Sequence, residues 1–529
     1  MSGVGKGIAT ASIGALLKAR GIQVTAVKID PYLNVDSGTL NPIEHGEVFV
    51  TKDGIETDQD IGNYERFLDE NLTRANYMTS GSVFLTVINR ERALGYGGKT
   101  VEAVPHIPQE VIARLRFAAE EANADVTLVE IGGTVGEYQN VLYLEAVRML
   151  KLQQPGDVLT VLVSYLPVPG SIGEMKTKPT QFAVRSLNSV GIQPDILICR
   201  STHIIDDIRK EKLGMHCNVA GADVIAAPDV KSIYEVPLNF ITEKVIERIS
   251  EKLSLPQKKS HTSAWVSFVK RMKHPVEKVR IGIIGKYFST GDFTLTDSYV
   301  SVIEALKHAA WSLRVEPELV WLNSEEYEKN PAKLKELRKL DGVLIPGGFG
   351  TRGVPGKLAA IKYVRENKIP YFGLCYGMQL AVVEVARDIL GWKDANTTEI
   401  DKKTLHPVID IMRDQKKKIA DADYGGSMRL GEYPCVLLKG SRSAGLYGSS
   451  KIVERHRHRF EMNPLYRQDV EKAGLRVTGM SPDGRLAEIV EFVEHPFFIA
   501  TQFHPELVSR PFKPHPLFIG FIRAGLKKK

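Results

Sequence analysis

Three residues in the C-terminal half of the sequence have the types and spacing of an activated thiol. Cys375 lies in residues 373–379, GLCYGMQ, and a later run at 502–506, QFHPE, contains His504 and Glu506. A cysteine that attacks a carbonyl group needs a base to take its proton, and the base needs a group that orients it. We therefore predict Cys375 as nucleophile, His504 as base and Glu506 as orienter.

The segments around these residues are suited to positioning them. An apolar, strand-like segment at 369–372 precedes Cys375 and a helical segment at 380–390 follows it, which is the layout of a nucleophile elbow. His504 and Glu506 follow the apolar strand at 497–500 and would alternate sides of an extended chain, so they need a turn, for which Pro505 is suited. Most free cysteines are merely buried small hydrophobic residues, but this context favours catalysis.

A glycine-rich turn lies one strand–helix unit before the elbow. The predicted strand at 342–345 runs into residues 346–350, PGGFG. Clustered glycines can point backbone N–H groups into a pocket, as an oxyanion hole requires. Most such turns are only turns, but this position makes it a candidate oxyanion site.

The N-terminal half begins with residues 2–7, SGVGKG, before a helical segment at 8–20. Backbone N–H groups at a helix N-terminus bind phosphate, and Lys6 adds a positive charge, although a standard P-loop has Ser or Thr where this chain has Gly7. Asp60 and Glu130 follow in segments that end predicted strands, and carboxylates there suit Mg²⁺ on a triphosphate. The residues jointly predict a nucleotide and metal site.

The length of 529 residues exceeds one hydrophobic core and predicts two to four domains at roughly 150 residues each. Strand-like runs at 23–29, 126–131, 158–166, 196–199, 279–285 and 342–346 alternate with helical stretches, which is typical of parallel α/β architecture. The pattern lapses at 252–278, apart from a short helix at 265–272. We predict domains at 1–251 and 279–529 with 252–278 as the linker.

Composition indicates a soluble globular protein, with 43% hydrophobic and 25% charged residues. The net charge of +7 arises from 70 basic and 63 acidic residues, so no polyelectrolyte arm predicts nucleic-acid binding; anionic small molecules or solubility alone explain it. Four cysteines without a Cys-x-x-Cys pair indicate a reducing compartment. No apolar run approaches the ~18 residues of a membrane span, and we expect a cytoplasmic protein.

Several runs together resemble the CTP synthase family, and the thiol site resembles class I glutamine amidotransferases. In order along the chain these runs are KIDPY at 28–32, HGEVFV at 45–50, GNYERF at 62–67, KTKPTQ at 176–181, GGSMRLG at 425–431 and RHRHR at 455–459. The resemblance implies two doubly wound α/β domains, a P-loop-like amidoligase domain similar to dethiobiotin synthetase and a C-terminal class I glutaminase. It further implies that ATP phosphorylates the 4-oxygen of UTP and that channelled ammonia from glutamine displaces the phosphate.

The resemblance also implies roles for individual residues. Gly347, Gly348 and Phe349 would form the oxyanion site, and Gln379, Glu399 and Arg459 would bind glutamine. The ATP site would contain Ser2, Gly3, Val4, Gly5, Lys6, Gly7, Lys28, Asp60, Arg200 and Asp229, with Asp60 and Glu130 as metal ligands. The UTP or CTP site would contain Ser2, Glu137, Gln139, Lys176, Thr177, Lys178, Gln181 and Lys212.

The cofactors and partners implied by the family are Mg²⁺, ATP as co-substrate and GTP as allosteric activator. UTP and glutamine would be the other substrates, and CTP a feedback inhibitor. The family also implies a homotetramer that can form filaments, with no nucleic acid and no membrane as partner.

The sequence departs from the family pattern in several places. About a dozen residues that normally precede the Ser2 position, a strand and the first loop glycines, are absent, so we expect impaired ATP binding and a natural start upstream of Met1; an intact mass showing translation from Met1 would refute this. Glu137 replaces the usual Asp and Gln139 a usually acidic residue, and Gly95 and Gly97 interrupt a family loop, so CTP inhibition is expected to differ. Tyr376 replaces the usual leucine and is expected to narrow the glutamine pocket or tunnel entrance.

Two other functions fit parts of the pattern. One is a catalytically impaired homologue with an assembly or regulatory role, because the phosphate loop is incomplete. The other is a triad amidotransferase of another pathway, similar to GMP synthase, although that family places its glutaminase first.

Overall fold

The computed structural model describes residues 3–170, 173–256, 261–285, 289–290, 293–294, 297–411 and 428–528. Ser2 and residues 425–427 therefore lie outside the described residues. Contacts divide the chain into two units: the first is Met1–Ser37 with Asp60–Val269, and the second is Gly38–Gln59 with Lys270–Lys529. The predicted boundaries at 251 and 279 remain a prediction, and the contacts add residues 38–59, here named the inserted segment, to the C-terminal unit.

The first unit contains two three-stranded parallel sheets. All seven residues of strand Val24–Asp30 are buried, as expected for a parallel strand covered on both faces, and it lies between Tyr77–Thr79 and Val126–Ile131. The second sheet has the order Val161–Tyr165, Ile196–Ser201, Val224–Pro228. The α-helices are Lys6–Lys18, Gln59–Leu68, Ser80–Arg92, Ala103–Glu121, Val141–Gln153, Lys178–Ser189, Asp207–Cys217, Val236–Thr242, Val245–Lys252 and Ser263–Lys273.

The second unit is built on a nine-stranded sheet, parallel in its first five strands and antiparallel in the rest. Its order is Val315–Asn323, Glu277–Gly285, Gly342–Ile345, Tyr371–Leu374, Phe498–Thr501, Ala487–Phe492, Leu475–Met480, Arg429–Leu437, Lys451–His458. A smaller sheet joins Asn396–Thr397, Pro407–Ile411 and Phe460–Met462, and Ser289–Thr290 pairs with Phe293–Thr294. The α-helices are Val300–Ser312, Ser324–Lys329, Val354–Glu366, Tyr376–Asp388, Arg442–Tyr447, Arg467–Lys472 and Pro516–Lys527.

The hydrophobic core of the second unit surrounds its central parallel strands. Tyr371–Leu374 and Phe498–Thr501 are completely buried and lie side by side, so the residues that follow them emerge at the same edge of the sheet. The edge formed by these strand ends therefore brings together Cys375 and residues 502–506, which are distant in sequence.

The inserted segment forms a helix, Pro42–His45, and a short hairpin of strands Phe49–Val50 and Glu56–Thr57. It lies against strand Lys451–His458: Arg455 Nη1 donates to the Val50 carbonyl at 3.1 Å, and Arg457 Nε lies 2.7 Å from Glu56 Oε1. At its other end Glu47 accepts the Ser301 N–H at the start of helix Val300–Ser312. A carboxylate there satisfies an unpaired helix N–H, so the segment is fixed at both ends.

No helix among the described residues is both long enough and apolar enough to cross a bilayer.

Candidate functional site

Cys375 occupies the predicted elbow. It lies between strand Tyr371–Leu374 and helix Tyr376–Asp388, with φ 47° and ψ −97°, a conformation that non-glycine residues rarely adopt. The Cys375 N–H donates to the Thr501 carbonyl at 2.6 Å, and the Cys375 carbonyl accepts the Gln379 N–H at 3.1 Å. The strained backbone is therefore held by its neighbours, as is common at functional sites.

His504 and Glu506 are joined by the predicted turn. Pro505 begins the short 3₁₀ helix Pro505–Val508, and this turn brings His504 Nδ1 within 2.7 Å of Glu506 Oε1. Burial lowers the pKa of His504, but the Glu506 carboxylate and Cys375 outweigh this effect and raise the pKa well above its usual value. Interaction with the Cys375 side chain contributes to this shift, so the imidazole faces the thiol with which it can exchange a proton.

The glycine turn lies against the thiol and the imidazole. A Cβ atom at Gly347 would come within 2.8 Å of His504 Cε1 and 3.7 Å of Cys375 Cβ, so only glycine fits there. The next residues are Gly348 and Phe349, whose side chain is about half exposed. The glycine turn therefore lies next to Cys375, and its predicted role as the oxyanion site remains a prediction.

The backbone of Gly350 is held by hydrogen bonds to both of its polar groups. Its N–H donates to Glu399 Oε1 at 2.7 Å, and its carbonyl accepts the Tyr376 hydroxyl at 2.7 Å. The Tyr376 ring is buried, and the Lys357 ammonium lies 5.4 Å from its centroid. Tyr376 thus braces the glycine turn. That role is additional to the predicted narrowing of the pocket, which remains a prediction.

Two glutamine side chains connect the sulfur to the neighbouring strand. Gln379 Nε2 donates to the Phe460 carbonyl at 2.8 Å and to Gln502 Oε1 at 3.3 Å. Gln502 Nε2 donates to Cys375 Sγ at 3.5 Å. Both amide hydrogens of Gln379 are used within the protein, so its Oε1 is the atom that remains to accept a hydrogen bond from a substrate.

Arginines and histidines alternate along strand Lys451–His458, as the sequence spacing predicts. Arg455 and Arg457 meet the inserted segment, while His456 Nδ1 lies 3.1 Å from His458 Nε2 on the buried side. Burial and the Arg429 charge lower the pKa of His458 to about 3, so this histidine is neutral near neutral pH. The strand also carries the Arg457 carbonyl, 3.8 Å from Cys375 Sγ, and Arg459 follows its last residue.

The position of Asp60 in the first unit explains why the phosphate loop has Gly7 in place of Ser or Thr. A Cβ atom at Gly7 would lie 2.0 Å from Asp60 Oδ1, so the Asp60 carboxylate occupies the position of that side chain. Gly5 has a φ of 89°, and the Lys6 ammonium donates to the Gly133 carbonyl at 3.3 Å. The start of helix Lys6–Lys18 therefore brings together the loop, Lys6 and Asp60.

Lys28 lies among three carboxylates. Its ammonium donates to Asp60 Oδ2, lies 3.2 Å from Glu130 Oε1 and is 3.7 Å from Asp30 Oδ1. Burial, followed by repulsion from Asp60, raises the pKa of Glu130 against the effect of Lys28. Two carboxylates that repel each other are suitable ligands for a hard divalent cation, so the chemistry of Asp60 and Glu130 fits Mg²⁺. In the described part of the chain, no group of three or more His, Cys, Asp or Glu residues is arranged to hold a metal ion.

The remaining predicted nucleotide residues form three groups within the first unit. Arg200 contacts the loop through the Val4 carbonyl and pairs with Asp229. Lys178 Nζ and Thr177 Oγ1 bond the two ends of the Gln181 amide, and Lys176 pairs with Glu174, near which Lys212 also lies. Glu137 and Gln139 are exposed at the start of the short 3₁₀ helix Tyr138–Asn140, where the Thr134 N–H lowers the pKa of Glu137.

Comparison with known proteins tests the resemblance. A family model described as the CTP synthase N-terminus matches residues 1–255, and one described as class I glutamine amidotransferase matches residues 294–524. A CTP synthase of Methanocaldococcus jannaschii is 49% identical over 535 residues, covering 100% of this chain and 97% of its own. The chain belongs to the CTP synthase family. The predicted family, two-domain α/β architecture and enzyme class are thereby confirmed.

Two further relatives of the family show similar agreement in sequence. The CTP synthase of Caldanaerobacter subterraneus is 47% identical over 532 residues, which cover 100% of this chain and 97% of that protein. A solved glutaminase domain of Trypanosoma brucei CTPS with bound acivicin is 40% identical; the match covers 47% of this chain and 95% of that one, with a TM-score of 0.43.

Sequence reasoning assigned no role to Gln502 and Lys357. Gln502 opens the same QFHPE run as His504, so its place in the run was a signal, but its target depends on a strand pairing that the sequence does not display. Nothing in the sequence distinguishes Lys357 from other helix lysines. Its contact with the Tyr376 ring becomes visible only in the structure, where Lys357 is buried at 1% exposure.

Proposed function

We propose that this protein makes CTP from UTP, ATP and glutamine. ATP phosphorylates the uracil 4-oxygen, ammonia released from glutamine reaches the synthetase site through a channel, and it displaces the phosphate. The observation that carries the proposal is the Cys375–His504–Glu506 arrangement in a chain that also contains the Gly7–Asp60 phosphate loop.

In the glutaminase reaction, the thiol proton of Cys375 moves to His504 Nε2 and the sulfur attacks the amide carbon. The carbonyl oxygen of the substrate becomes negative and faces the N–H groups of Gly347, Gly348 and Phe349. When the C–N bond breaks, His504 gives the proton to the leaving nitrogen, and a thioester to Cys375 remains. Water then cleaves the thioester, with His504 as its base, to give glutamate and the free thiol.

Recognition of glutamine uses groups of opposite charge. Arg459 binds the α-carboxylate, Glu399 binds the α-ammonium, and Gln379 Oε1 accepts a hydrogen bond from the substrate. Paired charges favour a free amino acid over a glutamine within a peptide, which lacks both charges.

On the synthetase side, the loop of Gly3, Val4, Gly5, Lys6 and Gly7 binds phosphate, and Ser2 has the role in ATP and UTP binding that the family implies. Asp60 and Glu130 hold Mg²⁺, which when bound offsets the charge of the triphosphate. Lys28 and Lys6 neutralise charge on the transferred phosphoryl group, and Arg200 and Asp229 lie toward the adenine. A ligand phosphate would replace one of the carboxylates that now pair with Lys28.

UTP, and CTP as inhibitor, bind through the group Lys176, Thr177, Lys178, Gln181 and Lys212, with Glu137 and Gln139 in the inhibitor pocket. GTP activates the glutaminase. The protein is a cytoplasmic homotetramer that can assemble into filaments, and neither nucleic acid nor membrane is a partner. These assignments rest on the family and on the grouping of the lysines within the first unit.

The test supplies UTP and ATP with either glutamine or ammonium and follows CTP. In Cys375→Ala we expect glutamine-dependent synthesis to fall at least about 10³-fold, because the nucleophile is lost, with ammonium-dependent synthesis unchanged within about twofold. Cys435→Ala, which removes another buried thiol of the same unit, is the control and should retain both activities.

The outcomes separate the candidate functions. CTP from neither nitrogen source in the unmodified protein would contradict the proposal and favour the assembly or regulatory role. Glutamine hydrolysis without CTP would favour an amidotransferase of another pathway.

A further inference from the structure

The orientation of the Gln502 amide is determined by a chain of hydrogen bonds. The Phe460 carbonyl can only accept, so Gln379 must turn its NH₂ group toward it, at 2.8 Å. The second N–H of that group then faces Gln502 at 3.3 Å, and only Oε1 of Gln502 can accept it. The Gln502 NH₂ group is thereby directed at Cys375 Sγ, 3.5 Å away. Reversing either amide would place two donors or two acceptors against each other.

The contact is buried and its backbone is fixed. Gln502 is 1% exposed and Cys375 is 5% exposed. Gln502 follows strand Phe498–Thr501, and its N–H donates to the Glu488 carbonyl at 2.8 Å. A hydrogen bond that is shielded from water is electrostatically stronger than the same bond in solvent.

The sulfur therefore has different partners in its two protonation states. As a thiol it can donate toward the Arg457 carbonyl at 3.8 Å, and this contact has no function once the proton has left. As a thiolate it can only accept, and the Gln502 N–H is then a donor already in place, in addition to the His504 imidazole that has taken the proton. Negative charge also returns to the sulfur when the thioester is cleaved, so the same donor serves in both steps.

We propose that Gln502 is a further catalytic residue, whose Nε2–H holds the Cys375 sulfur and stabilises the negative charge on it during attack and thioester cleavage. Gln379 is a positioning residue for this donor in addition to its predicted role in glutamine binding. The proposal deepens the glutaminase part of the proposed function and rests on it.

The test uses two variants of the full chain. Gln502→Glu keeps the shape and the acceptor for Gln379 but places oxygen against the sulfur, and Gln502→Met keeps the volume without a donor. We expect kcat with glutamine to fall by about 10- to 100-fold, more in Gln502→Glu, as for one lost hydrogen bond to a charged group. KM for glutamine should change little because the lost contact is to the nucleophile.

Two readouts separate this role from a structural one. Ammonium-dependent CTP synthesis should be unchanged in both variants, and alkylation of Cys375 by iodoacetamide, followed by peptide mass spectrometry, should slow by a similar factor. Gln468→Glu, the same change at an exposed position on helix Arg467–Lys472, is the control and should alter neither.

A kcat within twofold of the unmodified enzyme in Gln502→Met, or an unchanged alkylation rate in Gln502→Glu, would overturn the proposal. If either variant fails to fold, Gln502→Asn supplies the answer, because its shorter amide keeps the polarity but cannot span to the sulfur. Full glutamine activity in Gln502→Asn would also overturn it. If the unmodified protein made no CTP from ammonium, that result would instead contradict the proposed function.

Discussion

The two candidate sites hold their reactive groups in opposite ways. Around Cys375 the hydrogen bonds already have the arrangement that the proposed reaction uses: His504 Nδ1–H donates to the Glu506 carboxylate, and Gln502 Nε2–H donates to the sulfur. Around the phosphate loop the charged side chains satisfy each other, as Lys28 does with Asp60 and Glu130. The amide group of glutamine is uncharged, so its reaction needs a preorganised site. A triphosphate and its cation are strongly charged, and they can replace the ion pairs that the protein forms when they are not bound. We infer that the first site is rigid and the second rearranges on binding.

The largest effect on this comparison is expected from Lys28→Met, which removes the ammonium group that the carboxylates share. Two buried carboxylates, Asp30 and Glu130, and the partly buried Asp60 would lose their counter-charge. We therefore expect both the glutamine- and ammonium-dependent activities to fall at least about 10²-fold and stability to fall by about 3–5 kcal/mol. Lys151→Met, which removes a half-exposed lysine paired with Asp195 in the same unit, is the control. Retained ammonium-dependent synthesis would show that the ion pairs are structural only.

The same variant has a pH signature. Burial raises the pKa of Asp30 and Glu130, and loss of Lys28 should raise each pKa further. A carboxyl with a raised pKa in the folded state binds protons better when folded, so folding gains stability as pH falls and loses it as pH rises through that pKa. The difference in Tm between variant and parent should therefore narrow as the pH falls through the raised pKa values, and a difference that does not change with pH would contradict this interpretation.

A second test sharpens the rigid side of the comparison. In Glu506→Gln the carboxylate that raises the pKa of His504 is lost and burial then lowers it, so His504 holds its proton less well. We expect glutamine-dependent kcat to fall by about 10- to 100-fold, as for a lost orienting charge, and the acidic limb of its pH profile, where the base becomes protonated, to move to lower pH. Glu494→Gln, at an exposed position of the same unit, should change neither, and a shift in the ammonium-dependent profile would contradict the assignment.

The smallest expected effect concerns the brace on the glycine turn. Tyr376→Phe removes the hydroxyl that bonds the Gly350 carbonyl, and kcat/KM for glutamine should fall by about 3- to 10-fold, the cost of one neutral hydrogen bond. Tyr363→Phe removes a buried hydroxyl that has no hydrogen-bond partner among the described residues, and is a matched control. Equal effects of the two changes would show that Tyr376 only fills space.

Local patterns in the sequence predicted those parts of the fold and site that local chemistry determines. The elbow at Cys375, the turn at Pro505 and the glycine turn each depend on a few consecutive residues, and all three are found. The strand predicted at 158–166 is shorter, Val161–Tyr165, because strand ends depend on pairing with Ile196–Ser201.

What sequence reasoning could not reach depends on contacts between distant segments. The departure of Gly7 from the standard P-loop has a cause that the sequence does not display, because the Asp60 carboxylate occupies the place of that side chain. Gln502 had no predicted role because its contacts with Gln379 and Cys375 arise only when two parallel strands end side by side. The predicted roles of Arg459, Lys212 and the other ligand-binding residues remain predictions.

The inserted segment has a consequence for dissecting this protein. Since residues 38–59 pack with the C-terminal unit, the chain passes between the two units three times, and no single cut separates them. A glutaminase fragment that begins near residue 270 would leave Arg455, which is fully buried, without the Val50 carbonyl, and Arg457 without Glu56. Supplying residues 38–59 as a separate peptide, or grafting them onto the fragment through a linker, is the appropriate way to study that half by itself.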